Sequence, residues 1–337
     1  MNFESLRAML MPDPSARPPP PGATRRAREQ AAGGYNTSFR NTSHRSSQPA
    51  APFYLVCTGT PMSEKILSMV DKDGNATIAL NRPDVHNAFD PEMGAQLIAT
   101  LKQLEADSNV RAVVLMGQGK SFCAGADIEH MRRSAEFSKE QNRKAALQMA
   151  QMFYTLYTLK KPTIARVHGA VRGGGAGLVA ACDIAIGSRD TTFRLSEVRL
   201  GIVPAMISPY LVAAIGERHA RRYFLSGEEF DSAEAFRIGL LHDIVELEDL
   251  NPAVSFMLAD LYCGGPEAIV AAKQQITRIA HSAITPEIVE QTANAIADIR
   301  ATPEAQEGLG AFLEKRKAAW IHPAAQSSKP AKAKKKR

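Results

Sequence analysis

The stretch VHGAVRGGGAGLVAACD, residues 167–183, places three consecutive glycines between a β-branched run and an alanine-rich run. A strand that ends here and a helix that begins directly after it would leave the first peptide N–H groups of that helix without intrahelical partners. Glycines at Gly173, Gly174 and Gly175 would let a ligand approach those N–H groups, where the helix dipole favours negative charge. On its own, the motif is equally typical of a flexible turn.

Strand-like and helix-like segments alternate on both sides of this stretch, and the pattern becomes almost wholly helical after residue 250. Alternation of this kind predicts an α/β fold whose sheets are covered by helices. The expected strands are 76–81, 111–117, 162–169 and 184–188, and the expected helices are 91–105, 138–160, 175–182, 207–222, 232–238, 253–262, 266–281, 286–300 and 303–318.

A second small-residue stretch, GKSFCAGAD at 119–127, also follows a predicted buried strand. Two such loops could each aim one backbone N–H at a single oxygen, which stabilises an oxyanion without a charged side chain. We predict Ala126 and Gly174 as the two donors. A phosphate-binding loop is disfavoured, because the chain has no GxxxxGK[ST] and no GxGxxG at its first strand-to-helix turn.

The composition is that of an ordinary globular protein, with 45% apolar and 23% charged residues. No stretch approaches the ~18 uninterrupted apolar residues of a membrane-spanning helix, so no membrane association is expected. The four cysteines include no CxxC pair and no histidine at ligand spacing. They predict reduced thiols rather than disulfides or a zinc site, and no metal is expected.

The net charge of +6 is concentrated at the two ends of the 337-residue chain. Residues 1–61 carry seven arginines and three acids, and the last nine residues carry six cations and no acid, which leaves the middle near −4. An acidic body disfavours a folded nucleic-acid-binding face. Nucleic-acid binding through the basic termini stays open as a function of a different class.

The termini are predicted to be disordered: an extension over 1–61, which contains four consecutive prolines and hydroxyl-rich clusters, and a basic tail over 321–337. Two explanations of the extension are open. Arginine-rich, acid-poor composition is typical of a mitochondrial transit peptide, which would place the protein in the matrix. Alternatively, Met62 is the true start of a bacterial, cytoplasmic protein, and we favour this interpretation.

Four stretches resemble, in the same order, signatures of the crotonase (enoyl-CoA hydratase/isomerase) superfamily. The resemblance implies a crotonase-type ββα spiral over 62–255, which holds the acyl-CoA site, and a C-terminal helical trimerisation region over 256–320. It also implies a homotrimer or a dimer of trimers. The stretches are NRPDVHNAFD (81–90), GKSFCAGAD (119–127), KPTIARVHGAVRGGGAGLVAACDIAI (161–186) and FRLSEVRLGIVPAMISPYLVAAIG (193–216).

The same resemblance implies a coenzyme A thioester as substrate and no cofactor. The thioester oxygen would lie between the N–H groups of Ala126 and Gly174 while an enolate develops. The other positions expected to bind substrate are Ala124, Gly125, Asp127, Ile128, Gly173 and Arg172.

The catalytic side chains depart from the family pattern at one position. Hydratases of the family carry two glutamates; the second matches Glu197, but the first falls on Gly177. Two reactions therefore remain open. Glu197 could activate water and then return the proton to the carbon next to the thioester, as an enoyl-CoA hydratase does. It could instead move a proton between two carbons, as an isomerase does.

The stretch 196–245 resembles bacterial hydratases of branched, carboxylated enoyl-CoA substrates, of the methylglutaconyl-CoA and carboxygeranoyl-CoA kind. Hydration of a branched enoyl-CoA is therefore the favoured prediction. A carboxylate at the far end of the substrate would need a cation, and arginine offers a bidentate fork. Arg172 is the first candidate for that role and Arg199 the alternative.

Several further polar residues are expected to be structural. His168 is predicted to contact backbone and Asp183 to satisfy a turn. The others are His130, Ser208 and Tyr210 near the pocket. Lys315 and Arg316 in the last helix could instead approach coenzyme A phosphates, from the same or a neighbouring subunit.

Overall fold

The computed structural model describes residues 64–280 and 282–321 of the chain. The predicted extension over 1–61 lies outside these ranges, as does the predicted tail over 321–337 apart from Ile321.

Within the described residues the chain forms strands and helices in alternation, as an α/β fold requires. The strands are β1 (Ile66–Val70), β2 (Asn75–Leu80), β3 (Ala112–Gly117), β4 (Thr163–Val167), β5 (Ala170–Arg172), β6 (Ile184–Ser188), β7 (Thr192–Arg194), β8 (Glu229–Asp231) and β9 (Asp243–Val245). The helices are α1 (Pro91–Ala106), α2 (Ile128–Ser134), α3 (Lys139–Tyr157), α4 (Gly174–Ala181), α5 (Ser208–Ser226), α6 (Ser232–Arg237), α7 (Leu250–Cys263), α8 (Pro266–Ile279), α9 (Pro286–Arg300) and α10 (Pro303–Leu313).

The larger sheet has six strands in the order β1-β2-β3-β4-β6-β9. β1 is antiparallel to β2, and each later neighbouring pair is parallel. Parallel neighbours direct their carboxyl ends to the same edge of a sheet. The loops that follow β3 and β4 therefore leave the sheet side by side.

The two central strands are buried on both faces, as in parallel sheets covered by helices. Val113 and Leu115 of β3 belong to a large apolar cluster that includes Leu101 of α1 and Phe153 of α3. Val114, between them in sequence, packs on the opposite face in a cluster with Val254 of α7. Side chains alternate between faces along a strand, so one run of apolar residues supplies both layers of the core.

α7 packs against the six-stranded sheet through Leu250, Val254 and Leu258. The domain boundary expected between residues 255 and 256 falls inside this helix. The helical region beyond the sheet therefore begins at α8, after the break at Gly264 and Gly265.

The smaller sheet joins β5, β7 and β8, with β5 parallel to β7 and Arg172 opposite Arg194. The Gly173 N–H continues this pairing by donating to the Arg194 carbonyl at 2.9 Å. α4 begins at the end of β5, and a short 3₁₀ helix over Glu197–Leu200 follows β7. The small sheet thus holds the first turn of α4 next to the segment that carries Glu197.

The structure confirms the predicted α/β class and each strand and helix expected from the sequence, with most ends within a few residues. It also contains α2, the five-residue strand β1 and the three-residue strands β5, β7, β8 and β9, which are not among the expected elements given above. Three residues are too few for an alternating pattern to be recognised.

No single helix of the described residues is long and apolar enough to cross a membrane. The segments Leu247–Cys263 and Pro266–Ile279 meet the criteria of length and composition only as a pair, and they are bent by 101°.

Replacement of Leu101 by alanine tests the core between α1 and the sheet. Leu101 is fully buried, so removing three of its carbons should lower the free energy of unfolding by about 2–5 kcal/mol. Urea denaturation measures this loss. Lys102→Ala, at the next and exposed position of α1, is the control, expected to stay within about 0.5 kcal/mol of the parent. Equal losses in the two variants would contradict the assigned packing of α1.

Candidate active site

The loop after β3 is fixed to its surroundings by backbone pairing on both sides. The Phe89 N–H donates to the Gly125 carbonyl at 2.8 Å, and the Asp127 N–H donates to the Phe89 carbonyl at 3.0 Å. Ala126 lies between these two bonded residues, so its own N–H points away from Phe89. Among the described residues this N–H has no acceptor, and Ala126 is exposed.

The loop after β4 meets the first loop at the beginning of α4. Cys123 pairs with the segment around Val171, and a Cβ placed on Gly125 would lie only 3.4 Å from the Gly174 nitrogen. Gly174 is the first residue of α4, so its N–H has no intrahelical acceptor. The structure brings together the two N–H donors that the sequence predicted, each free among the described residues.

The Glu197 carboxylate lies against the first turn of α4. A Cβ on Gly173 would be 2.9 Å from Glu197 Oε1, and Gly173 has a φ of +46°, in the region that favours glycine. Glu197 Oε2 is buried and has no hydrogen-bond partner among the described residues. Burial raises the pKa of this carboxyl above its ordinary value, although a hydrogen bond from its own backbone N–H acts in the opposite direction.

These groups line one cavity of about 150 Å³. Its wall includes Ala126 and Gly174, with Glu197 beside them, and most of the remaining surface is apolar. Predicted substrate-binding residues on the wall are Ala124, Gly125, Gly173 and Arg172. Residues that the sequence did not single out are Phe89, Met131, Phe153, Ser196, Leu200, Ile202, Val203, Pro204, Ala205, Met206 and Ile207.

The position expected for a second glutamate is filled by hydrocarbon. A Cβ on Gly177 would lie 2.2 Å from Cγ2 of Ile207 and 3.0 Å from Cε1 of Phe153. Real Cβ atoms essentially never come within 3.0 Å of another heavy atom in this way. Gly177 is therefore a packing requirement of this chain, and the acid that it replaces has no room to return.

The guanidinium of Arg172 is directed toward the small sheet. It donates to the Thr192 carbonyl at 2.8 Å and forms an ion pair with Glu229, also at 2.8 Å. The Arg172 carbonyl, by contrast, lies against Gly125. The charge of the Arg172 guanidinium is therefore compensated outside the cavity. This arrangement does not match the role expected for Arg172, which was to bind a carboxylate of the substrate. Arg199 is exposed and donates to the Ser226 carbonyl.

Asp127 and Ile128, also predicted to bind substrate, lie outside the cavity wall. Asp127 caps α2 by accepting from the His130 N–H at 3.0 Å and forms an ion pair with Arg82 at 2.8 Å. Burial favours a higher pKa for this carboxyl, but these two partners outweigh it and hold the pKa below its ordinary value. Ile128 is 71% exposed.

His168 contacts backbone, as expected, whereas Asp183 connects the first residue of β4 with α8. Nε2 of the buried His168 donates to the Gly119 carbonyl at 2.9 Å, and burial lowers the pKa of the ring. Asp183 accepts from the Thr163 N–H at 2.7 Å and from Lys273 at 2.7 Å.

The remaining polar candidates are not on the cavity wall, although Ser208 and Tyr210 contact residues that are. Tyr210 packs on the rings of Phe153 and Tyr157, and the Ser208 hydroxyl donates to the Ala205 carbonyl. His130 stacks edge-on with Phe137, Arg316 is paired with Glu307 and Glu314, and Lys315 follows α10 with a φ of 56°.

The three described cysteines are unpaired, as predicted. Burial raises the pKa of Cys123 and of Cys182 to about 12, so neither is a thiolate at neutral pH. Within the described part of the chain, no group of three or more His, Cys, Asp or Glu side chains could hold a metal ion.

Comparisons with a family model and with curated proteins both match enoyl-CoA hydratases. The family model described as Enoyl-CoA hydratase/isomerase matches residues 71–323. The short-chain-enoyl-CoA hydratase of Clostridium acetobutylicum is 32% identical over 252 residues, which are 74% of this chain and 95% of that protein.

Solved structures of similar proteins share the fold. A candidate enoyl-CoA hydratase/isomerase (crotonase) from Legionella pneumophila is 41% identical with a TM-score of 0.72, covering 76% of this chain and 98% of that one. An enoyl-CoA hydratase from Shewanella pealeana is 37% identical with a TM-score of 0.74, covering 76% and 96%. These likenesses confirm the crotonase-type fold.

Replacement of Gly177 by alanine tests the close packing of α4 against the Ile207 side chain. Because the new Cβ would clash with Ile207, the variant should lose about 1–3 kcal/mol of unfolding free energy. Ile207→Ala should lower the free energy of unfolding less in the Gly177→Ala variant than in the parent. Urea denaturation of the parent, the two single variants and the double variant gives the coupling energy between positions 177 and 207. Strictly additive losses would show that the two positions do not meet.

Replacement of Glu197 by glutamine tests the cost of its buried carboxylate. A carboxyl whose pKa is raised on folding favours the folded state below its unfolded pKa, and that contribution is lost as the pH rises through the folded value. The Gln variant should therefore unfold at a higher temperature than the parent at pH 7, and the difference should shrink toward pH 4. Thermal unfolding of the parent and the variant between pH 4 and pH 7 measures the difference in unfolding temperature and its dependence on pH. A Gln variant less stable than the parent at pH 7 would contradict the unpaired state of Oε2.

Proposed function

This chain belongs to the enoyl-CoA hydratase/isomerase family, and on that premise we propose that it adds water across the α,β-double bond of an enoyl-CoA thioester to give the 3-hydroxyacyl-CoA. The observation that carries this proposal is the buried, unpaired oxygen of Glu197 in the same cavity as two free backbone N–H groups. Under this proposal the protein is a hydro-lyase that acts without a cofactor.

The Ala126 and Gly174 N–H groups would bind the thioester oxygen. Attack at C3 moves the electrons of the double bond to that oxygen, and two fixed donors stabilise the resulting enolate without reorganising. Gly174 adds the partial positive charge of the first turn of α4. The largely apolar wall lowers the local dielectric constant, which strengthens both hydrogen bonds.

Glu197 would serve both proton transfers. Its carboxylate takes a proton from water as the water oxygen bonds to C3, and the acid so formed gives that proton to C2 as the enolate returns to the thioester. The elements of water are added, and the carboxylate is restored. A pKa raised by burial suits a group that must first accept a proton and then release it.

The proposed acyl group is branched and apolar. Support comes from the resemblance of 196–245 to hydratases of branched substrates and from the apolar residues, such as Phe89, Phe153 and Ile207, that line the cavity. A terminal carboxylate is not part of the proposal, because the Arg172 guanidinium is held by Glu229 outside the cavity.

Isomerisation is the second candidate. It is favoured by the glycine at position 177, where the family pattern has a glutamate. With one carboxylate, the site can shuttle a proton between C2 and C4 without adding water. The two reactions differ in the fate of solvent oxygen, which is incorporated at C3 only by hydration.

Assembly and location also stay proposals. We propose a homotrimer or a dimer of trimers, supported by the membership of the crotonase fold, and a cytoplasmic location, supported by bacterial relatives such as that of Clostridium acetobutylicum.

Incubation with crotonyl-CoA and with 3-methylcrotonyl-CoA in ¹⁸O-labelled water tests the proposed reaction. Label should appear at C3 of the product, and the branched substrate should react with the higher kcat/KM. Glu197→Gln should lower kcat by about 10²–10⁴-fold, whereas Glu217→Gln, at an exposed carboxylate of α5, should leave it unchanged. A rearranged substrate without label would establish the isomerase instead.

The dependence of kcat/KM on pH tests the environment of Glu197. Since the base must be ionised and burial raises its pKa, activity should fall on the acid side at a pH above the ordinary glutamate value of 4.5. Steady-state rates between pH 4 and 9 locate this limb. A limb at or below the ordinary value would show that Glu197 is not the buried base.

A further inference from the structure

The cavity offers very few polar side chains to a water molecule. Of the described residues that line it, only Arg172, Ser196 and Glu197 have polar side chains. The Arg172 guanidinium is bound to Thr192 and Glu229. Within the part of the chain that the structure describes, this leaves Glu197 and Ser196 to hold water in the cavity.

Ser196 has an uncommitted hydroxyl. It is half-buried and directly precedes Glu197, at the N-cap position of the 3₁₀ helix, yet its side chain makes no capping hydrogen bond. No other hydrogen bond of this hydroxyl occurs among the described residues. A serine hydroxyl can donate one hydrogen bond and accept two, and at this position its capacity is unused.

A single carboxylate is a poor holder of an attacking water. An ionised carboxylate only accepts hydrogen bonds, so it can take one hydrogen of the water and leave the other free to rotate. The lone pair of the water must nevertheless point at C3, and orientation of this kind is a large part of catalysis. The first of the two glutamates expected for family hydratases has no substitute at Gly177, which Ile207 and Phe153 enclose.

We propose that the Ser196 hydroxyl is the second group that holds the attacking water, an inference that rests on the proposed hydratase function. The water donates one hydrogen to the Glu197 carboxylate and the other to Ser196 Oγ, which directs its lone pair at C3. As the C3–O bond forms, the proton on the Glu197 side moves to the carboxylate and later to C2. The hydrogen facing Ser196 stays on oxygen and becomes the hydrogen of the product hydroxyl.

Threonine and valine at position 196 form the matched pair for testing this role, because the two side chains have nearly the same shape and differ in the hydroxyl. Ser196→Val should lower kcat for hydration about 10- to 100-fold, the range expected for one hydrogen bond to a reacting group. Ser196→Thr should stay within a few-fold of the parent. KM should change little in both, and Ser68→Ala, at an exposed serine of β1, should match the parent.

The possible outcomes are distinct. A parent protein that incorporates no ¹⁸O overturns the proposed function itself, before any variant is compared. A parent that hydrates, with equal kcat in the Thr and Val variants, overturns the role of Ser196 and leaves the hydratase intact. Equal losses in both, with lower unfolding temperatures, would mean that the position is structural and would also overturn it. Loss in Val alone, with unchanged thermal unfolding, supports the proposal.

Discussion

The close approach of the first turn of α4 to its neighbours is the constraint on which the site depends. At Gly173 a Cβ would meet the Glu197 carboxylate, at Gly174 the ring of Phe89, and at Gly175 the Cys123 carbonyl, each within 3.0 Å. Three consecutive residues without side chains let the carboxylate, the aromatic ring and the preceding loop all contact one backbone turn. The same approach exposes the Gly174 N–H to the cavity.

The electrostatics of the site follow from this packing. Among the described residues, Glu197 is the only acid on the cavity wall, and its Oε2 atom has neither a hydrogen bond nor an ion pair with any of them. A charge without a partner in an apolar cavity is unfavourable for folding, and its retention in a folded chain is typical of a functional group. The ion pairs of Asp127 with Arg82 and of Arg172 with Glu229, by contrast, hold the surrounding loops.

Much of the fold and part of the site could be predicted from the sequence. Long apolar periodicities marked α1, β3 and most other elements, and the two glycine- and alanine-rich loops marked both N–H donors. The environment of Arg172 could not be predicted, because Glu229 is 57 positions away and reaches it only through the pairing of three short strands. The apolar wall from Ile202 to Ile207 was missed for a similar reason: no periodic pattern marks a loop that lines a cavity.

The contact between Gly177 and Ile207 also limits how this chain can change over evolutionary time. A glutamate introduced at position 177 would collide with the Ile207 side chain, and a smaller residue at position 207, arising first, would open a void beside Phe153. Either change alone is therefore expected to lower the free energy of unfolding. A site with two carboxylates would need coordinated changes at positions 177 and 207, so packing, and not only chemistry, sets the number of acids that this cavity can hold.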